Sequence, residues 1–298
     1  MSLARRRLGD RAAAAVGLLA LLCLLLALAA VFVQLLLDGG ARLGLDFIVS
    51  MASRDPARAG VLPALVGSAL VLLVTALAAV PVGIGAAVYL QEYAPDNRLT
   101  DLIEVNIANL AAVPSVLFGL LSLSLLVHGL ALGESILAAG LTLAMLVLPL
   151  VVVATREALR QVPVGVREAS YALGASRWQT VWRHVLPAAT PGVLTGVILG
   201  LSRAIGETAP LLALGALGFV AFLPPPMLVV EPPFVDGRWL SDPFITLPLQ
   251  IYDWLLRPDP AFRANAAAAG LLLAGFTLLV NAAAIGLRWR SRNPTRQR

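Results

Sequence analysis

Six stretches of the chain are apolar for long enough to cross a bilayer: near 12–37, 61–90, 108–128, 133–154, 191–222 and 264–287. About 20 apolar residues span the hydrocarbon core. Backbone groups there find no water, so each stretch is predicted to be a helix. The polar residues collect between these runs. The connection 38–60, with Gly39-Gly40 and Asp55-Pro56, reads as a loop on the outer side. The second run is broken late by Pro81, Gly83 and Gly85, and Pro81 removes one backbone hydrogen bond. Segment 91–107 carries Glu92, Asp96, Arg98, Asp101 and Glu104, while Leu99, Leu102, Ile103 and Leu110 share one helical face. That pattern predicts a helix lying along the membrane interface. The third run opens with Asn109 and Pro114-Ser115. The longest connection, 223–263, is proline-rich and carries Trp239, Tyr252 and Trp254, aromatics suited to the outer interface. No short-period repeat is visible.

Composition agrees with the pattern. Of 298 residues, 59% are hydrophobic and 13% charged, and mean hydropathy is +0.87; soluble domains carry about 25% charged residues. The expected fold class is therefore an all-α integral membrane protein with six transmembrane helices. All 22 basic residues are arginine. With the N-terminus cytoplasmic, 15 arginines fall in inside segments and 6 in outside loops, so the positive-inside rule puts both termini in the cytoplasm. The arginines alternate with spans and form no continuous face, which argues against nucleic acid as a partner. The start resembles a signal peptide, with Arg5-Arg6-Arg7, an apolar stretch and Ala27-Leu28-Ala29. The apolar run continues to Leu37, too long for an ordinary signal core, so the first span is expected to be retained. Cys23 stands alone, and His128 and His184 are the two histidines, which leaves no disulfide and no histidine metal cluster to expect.

One charged, amphipathic segment, 156–187, separates two apolar runs. Pro163 suits the first turn of a short helix running to about Leu173, and Gly174 suits the left-handed residue that ends it. Ser176 and Gln179 have the spacing of a capping box. Trp178, Val181, Trp182 and Val185 then recur as one apolar face until Pro187, expected to stop this second helix. Two short helices at a bend fit either a hairpin resting on lipid headgroups or a helix presented to a groove on a partner.

Glu168-Ala169-Ser170, three residues, Gly174, nine residues and His184-Val185-Leu186-Pro187 resemble the EAA loop of ABC-importer permeases. The family pattern is E-A-A, three residues, G, nine residues, I-x-L-P; Ser170 and His184 depart from it. The resemblance implies a coupling helix that seats on an ATPase subunit, with Glu168, Ala169, Gly174, Trp178, Trp182, Leu186 and Pro187 as coupling residues.

The fifth run adds a second feature. Gly192, Gly196, Gly200, Ala204 and Thr208 recur every four residues, a stripe that lets two helices approach closely. Arg203 and Glu207 lie off that stripe, toward the bundle interior and near mid-span. An ionisable pair inside a membrane is a functional candidate by default; the alternative is an i,i+4 pair that only neutralises itself. Arginine's planar fork suits a tetrahedral oxyanion. Glu207 could accept a proton from hydrogen phosphate, which sulfate lacks at neutral pH.

Arg203-Ala204-Ile205-Gly206-Glu207-Thr208-Ala209-Pro210 resembles a segment of phosphate ABC-transporter permeases, as do Val113-Pro114-Ser115-Val116-Leu117-Phe118-Gly119-Leu120 and Leu247-Pro248-Leu249-Gln250-Ile251-Tyr252-Asp253-Trp254 with Asn281 and Arg288. The likeness covers about 60 to 290 and is nearest the A-type subunit. It implies a type I ABC importer (MetI-like) permease fold, and a substrate pathway at Arg203, Glu207 and Ser115. The implied division is 1–60 (tail, first span, first external loop), 61–290 (permease domain, coupling loop 156–187) and 291–298 (cytoplasmic tail). The implied partners are a homologous C-type permease subunit, two copies of an ATPase, an external phosphate-binding protein, inorganic phosphate and membrane lipid, all at a bacterial cytoplasmic membrane. No G-x-x-x-x-G-K-S/T loop is present, so ATP and magnesium belong to the ATPase and no cofactor is expected on this chain. A permease for sulfate, molybdate or phosphonate is the nearest rival. A lipid-phosphate enzyme lacks paired histidines or clustered carboxylates, and a secondary transporter has no use for an EAA-like loop.

Overall fold

The computed structural model describes residues 3–215, 219–227 and 236–292; part of the proline-rich connection and the tail 293–298 lie outside the described residues. Helix α1 (Leu3–Gly39) is followed by a short turn and by α2 (Leu45–Val49). Helix α3 (Leu62–Val88) runs through Pro81 and ends in a wide π-type turn, Tyr89–Tyr93. Then come α4 (Arg98–Leu110) and α5 (Ser115–Ser122), the latter extended by a second π-type turn to Gly129. Helix α6 (Ile136–Arg160) is the most buried long helix. Two short helices, α7 (Val164–Ala172) and α8 (Arg177–Thr180), lead through a third π-type turn, Val181–Val185, into α9 (Leu186–Gly206). The chain closes with α10 (Ala209–Ala213), α11 (Leu247–Leu256) and α12 (Phe262–Arg292). No strand occurs among the described residues, only an isolated bridge between Ser135 and Pro243.

Among the described residues, five helices are long and apolar enough to cross a membrane. A sixth crossing requires α4 and α5 together, and these meet at a 102° bend. The third expected span, 108–128, is therefore a broken one. Its break falls at Pro114, where the residue before a proline is disfavoured in the helical region. Leu99, Leu102, Ile103 and Leu110 of α4 are all exposed, as an interfacial helix requires. The fifth span also differs from expectation. Helix continues unbroken from Arg177 through Pro187 and Pro191 and stops at Gly206, well short of 222. Pro187 does not stop it: it follows directly on the π-type turn Val181–Val185, a local widening by which a continuous helix accommodates a proline. The aromatics of the connection 223–263 divide too. Tyr252 is partly exposed, but Trp239 and Trp254 are buried, Trp254 between Phe47 and Phe262.

The centre is a sandwich of α3, α6 and α9. Glycines decide how closely these helices approach. A Cβ on Gly140 would collide with Val74 of α3, and one on Gly83 would lie 2.7 Å from Val151. On α9, Gly192 faces Ala158 at 2.6 Å, Gly196 faces Ala154, and Gly200 faces Val151 at 3.2 Å. The small-residue stripe is thus the α6-facing seam. The segment before α11 lies against α3, where Leu247 N–H donates to Ser68 Oγ at 2.8 Å. Outside the sandwich, Arg42 ties the connection between α1 and α3 to α12: it donates to Asn265 Oδ1 at 2.9 Å and to the Ala57 and Ala59 carbonyls at 2.7 and 3.0 Å.

Candidate functional site

Two places gather the residues singled out by sequence. The first is the end of α9. Arg203 lies one turn before the helix stops, not at mid-helix, and Glu207 follows the last helical residue in extended conformation, with ψ at 123°. Their side chains still meet, Arg203 Nε donating to Glu207 Oε1 at 3.1 Å. An arginine in the last turn complements the negative end of the helix dipole. The guanidinium is 42% exposed and the carboxylate 17%, so the arginine reaches outward while Glu207 backs into the protein. Behind Glu207 is a cavity of about 10 Å³ lined in part by Ser68 and Thr246, enough for about one water. Thr246 Oγ1 is buried there without a protein partner.

Next to Arg203, Ser202 Oγ lies within hydrogen-bonding distance of both the Ile198 carbonyl and the Asn281 side-chain amide of α12, its single proton serving one of them. That joins the sequence-noted Asn281 to this helix end. Ser115 is half-buried at the start of α5 and makes no hydrogen bond to either charged residue. Its helix does pack on the same region, since a Cβ on Gly119 would collide with the Pro210 carbonyl of α10.

The second place is the α7–α8 hairpin. Gly174 has φ of +80°, the left-handed residue expected there. The capping box forms in both directions: Ser176 N–H donates to Gln179 Oε1 at 2.9 Å and Gln179 N–H to Ser176 Oγ at 3.3 Å. Ser170, the departure from the family alanine, is buried and shares a 2.8 Å hydroxyl contact with Thr180, fastening α7 to α8. The expected four-residue face splits in two. Val181 and Val185 point into the core, whereas Trp178 and Trp182 pack edge-on at 5.3 Å and remain exposed. Val181, Trp182 and Val185 all lie in the wide turn, whose looser winding breaks the i, i+3, i+4 register of a single face. Glu168, Ala169, Gly174 and Pro187 are exposed, Leu173 is 90% exposed, and Leu186 is half-buried against α6. The hairpin thus presents an acid, two tryptophans and a leucine to the outside.

Sequence reasoning missed one cluster. Arg167 of α7 forms a two-pronged pair with Glu92 at the end of α3, Nη2 to Oε1 at 2.6 Å and Nε to Oε2 at 3.2 Å. No local spacing signals it, because the partners are 75 residues apart. Arg156 of α6 and Glu104 of α4 pair through a single contact, Nη2 to Oε1 at 2.5 Å.

A family model described as the binding-protein-dependent transport system inner membrane component matches residues 79–287. The chain belongs to that family. The match starts late in α3 and takes in α4 to α11 and most of α12, so both candidate places fall inside the family's region. Among relatives, a protein of Bacillus subtilis described as the probable ABC transporter permease protein YqgI is 35% identical over 88% of each chain. The phosphate transport system permease protein PstA of Xylella fastidiosa is 31% identical over 97% of this chain and 96% of its own. PstA of Mycobacterium leprae is 41% identical over 68% of this chain and 62% of its own. A chain from the inward-facing MetNI methionine ABC transporter superposes with a TM-score of 0.58, covering 76% of this chain and 94% of that one. At 19% identity it speaks for the fold alone, which is the MetI-like permease fold. The protein is a multi-pass membrane subunit of a transporter.

Proposed function

We propose that this chain forms, with a homologous C-type permease subunit, the membrane pathway of an ATP-driven importer of inorganic phosphate. The observation that carries the reading is the Arg203–Glu207 pair at a helix end inside the span region, in a chain whose full-length relatives include phosphate transport permeases. Interrupted helices are tolerated at membrane depth where they line a cavity or are covered by protein; the C-terminal end of α9 is itself electronegative, so the attraction for an anion here rests on the Arg203 guanidinium. Arg203 would attract hydrogen phosphate, and Glu207 would hold the arginine when no anion is present and accept a phosphate proton when one is. Ser115 belongs to the same pathway by its motif. Sulfate, which brings no proton, fits this pair less well, and other oxyanions remain the rival substrates. ATPase activity of the purified complex tests the choice: phosphate-loaded binding protein should stimulate it and sulfate-loaded protein should not, and the reverse result would sink the phosphate reading.

On this reading two ATPase subunits bind ATP and magnesium, one of them docking on Glu168, Ala169, Trp178 and Trp182 of this chain, while the binding protein delivers phosphate outside. Both termini then face the cytoplasm of a bacterial cell. A cysteine at Gln179 should react with an impermeant maleimide only from the cytoplasmic side, and one at Gly237 only from outside; labelling of Gln179 from outside would reverse the orientation.

Gly174 supports the docking surface through its backbone. A Cβ there meets nothing within 4 Å, so any penalty comes from the positive φ, about 1–2 kcal/mol for an ordinary residue and more for a β-branched one. Gly174→Val is expected to uncouple ATP hydrolysis from uptake or to release the ATPase, while Gly165→Ala, at another open position, leaves both unchanged. A fully coupled Gly174→Val complex would remove the docking argument.

A further inference from the structure

The hairpin that presents Glu168 could in principle pass motion only along the chain into α9, with which α8 is continuous. A second route is built into the structure. Arg167, the neighbour of Glu168, points the opposite way, inward. Its side chain is 17% exposed and the Glu92 carboxylate 6%. Besides the two bonds to Glu92, Arg167 Nη1 donates to the Val162 carbonyl at 2.9 Å and Nη2 to the Leu159 carbonyl at 3.1 Å. Leu159 lies in the last turn of α6 and Val162 two residues past its end, so the guanidinium fastens onto the turn that closes this helix. One guanidinium therefore joins the end of α3, the end of α6 and the start of α7. A second tie lies beside it: Arg177, at the start of α8, sits 5.4 Å from the centre of the Tyr93 ring. Glu92 and Tyr93 both belong to the wide turn that ends α3, a type of irregularity found often at functional sites.

We propose that Glu92 and Arg167 are positioning residues for energy coupling, the clamp through which displacement of the α7–α8 hairpin drives α3 and α6 together with α9. Three features single this pair out. It is buried, so it is not loosened by water and salt as surface pairs are. It is two-pronged, which fixes direction as well as distance. It also spends four arginine donors on two different helices, so the hairpin cannot tilt without pulling on both. The helices it seizes are two of the three in the central sandwich, and they carry the close-packed Gly83–Val151 and Gly140–Val74 contacts. A push at Glu168 thus reaches a stiff body, not a loose loop.

This inference rests on the reading of the hairpin as the ATPase dock. Its test uses the assembled complex, with whichever ligand-loaded binding protein stimulates the wild type as the reference. If phosphate-loaded protein fails there and another anion succeeds, the substrate reading falls and the clamp is still measured. Glu92→Gln keeps the shape and removes the charge; Arg167→Lys keeps the charge and loses the fork. Both are expected to leave subunit stoichiometry and basal ATP hydrolysis close to wild type, while stimulation by the loaded binding protein and uptake fall by about tenfold, within the range of ordinary coupling energies. Wild-type stimulation in both variants would overturn the proposal. Should either variant fail to assemble because it strands a buried charge, the double variant Glu92→Leu/Arg167→Met removes both charges. The clamp predicts that this double variant assembles and hydrolyses ATP but remains uncoupled. Restored coupling, or failure of the double variant to assemble, would show that the pair serves the fold alone.

Discussion

Arg203→Gln is expected to lower phosphate uptake by about 10–100-fold, the worth of one or two charge-assisted hydrogen bonds at about 1.5 kcal/mol each. The assembled complex and its basal ATP hydrolysis should persist. The expectation follows from how the arginine is held. A single 3.1 Å bond from Nε to Glu207 leaves the terminal nitrogens uncommitted to any other protein group shown, and the side chain is 42% exposed. An arginine committed to its own chain spends its donors as Arg167 does, on a buried carboxylate and backbone carbonyls. On the proposed reading those terminal nitrogens are the donors that meet the anion. Arg203→Lys, with the charge but not the fork, should fall between wild type and glutamine. Glu207→Gln separates charge from shape on the other side of the pair. Wild-type uptake by Arg203→Gln would make the pair structural and leave the pathway without its anion site. If that variant fails to assemble, the double variant Arg203→Gln/Glu207→Gln decides: assembly without transport supports the assignment, and assembly with transport refutes it.

Gly196→Leu is expected to abolish folding of the permease. Gly196 sits in the α6–α9 seam, and even a Cβ there would collide with the Ala154 methyl. The helices must separate to admit any side chain, and overpacking a tight core costs about 1–3 kcal/mol for even a few methylenes. Separation would also open the Gly192–Ala158 and Gly200–Val151 contacts on either side, so the damage spreads along the seam. Apolar burial gives no compensating drive in lipid, where helices associate chiefly through close packing. The yield of monodisperse protein in detergent should collapse, and thermal unfolding of any survivor should shift well down. Gly275→Ala is the control. That glycine has nothing within 4 Å of its missing Cβ, so alanine should be neutral or slightly stabilising. Equal yields from Gly196→Leu and wild type would mean that the seam is not as tight as drawn.

Much of the fold was legible because a bilayer imposes a simple code. The first, second, fourth and sixth apolar runs became helices near their expected places, and the α6-facing glycine stripe was read correctly as a close-approach seam. The hairpin was legible for a local reason: Gly174 and the Ser176/Gln179 pair specify backbone geometry within a few residues. Hydropathy failed where length and conformation part company. The run to 222 stays apolar after the helix has ended at Gly206, and apolar length carries no sign of a turn. The signals of an end were present in Gly206 and in Pro210 four residues on, but they were outweighed by the continuing run. The opposite error occurred at Pro187 and Pro191, taken as a stop and a start. The helix passes through both, with Thr190 and Thr195 hydroxyls donating to the Leu186 and Pro191 carbonyls at 2.8 Å. Helix α11 was hidden in a supposed loop because ten residues are too few to span. The Glu92–Arg167 clamp was not legible at all. Each residue looked like one more interfacial charge, and only tertiary structure brings them together.

Transport itself is the most direct measure of the central claim. The chain, purified with its permease partner and ATPase and reconstituted into proteoliposomes, would be supplied with binding protein outside and ATP within. Accumulation of radiolabelled phosphate should then depend on ATP, resist competition by excess sulfate, and fall to background with Arg203→Gln. Phosphate uptake that is independent of ATP, or ATP-driven uptake of sulfate in preference to phosphate, would contradict the account.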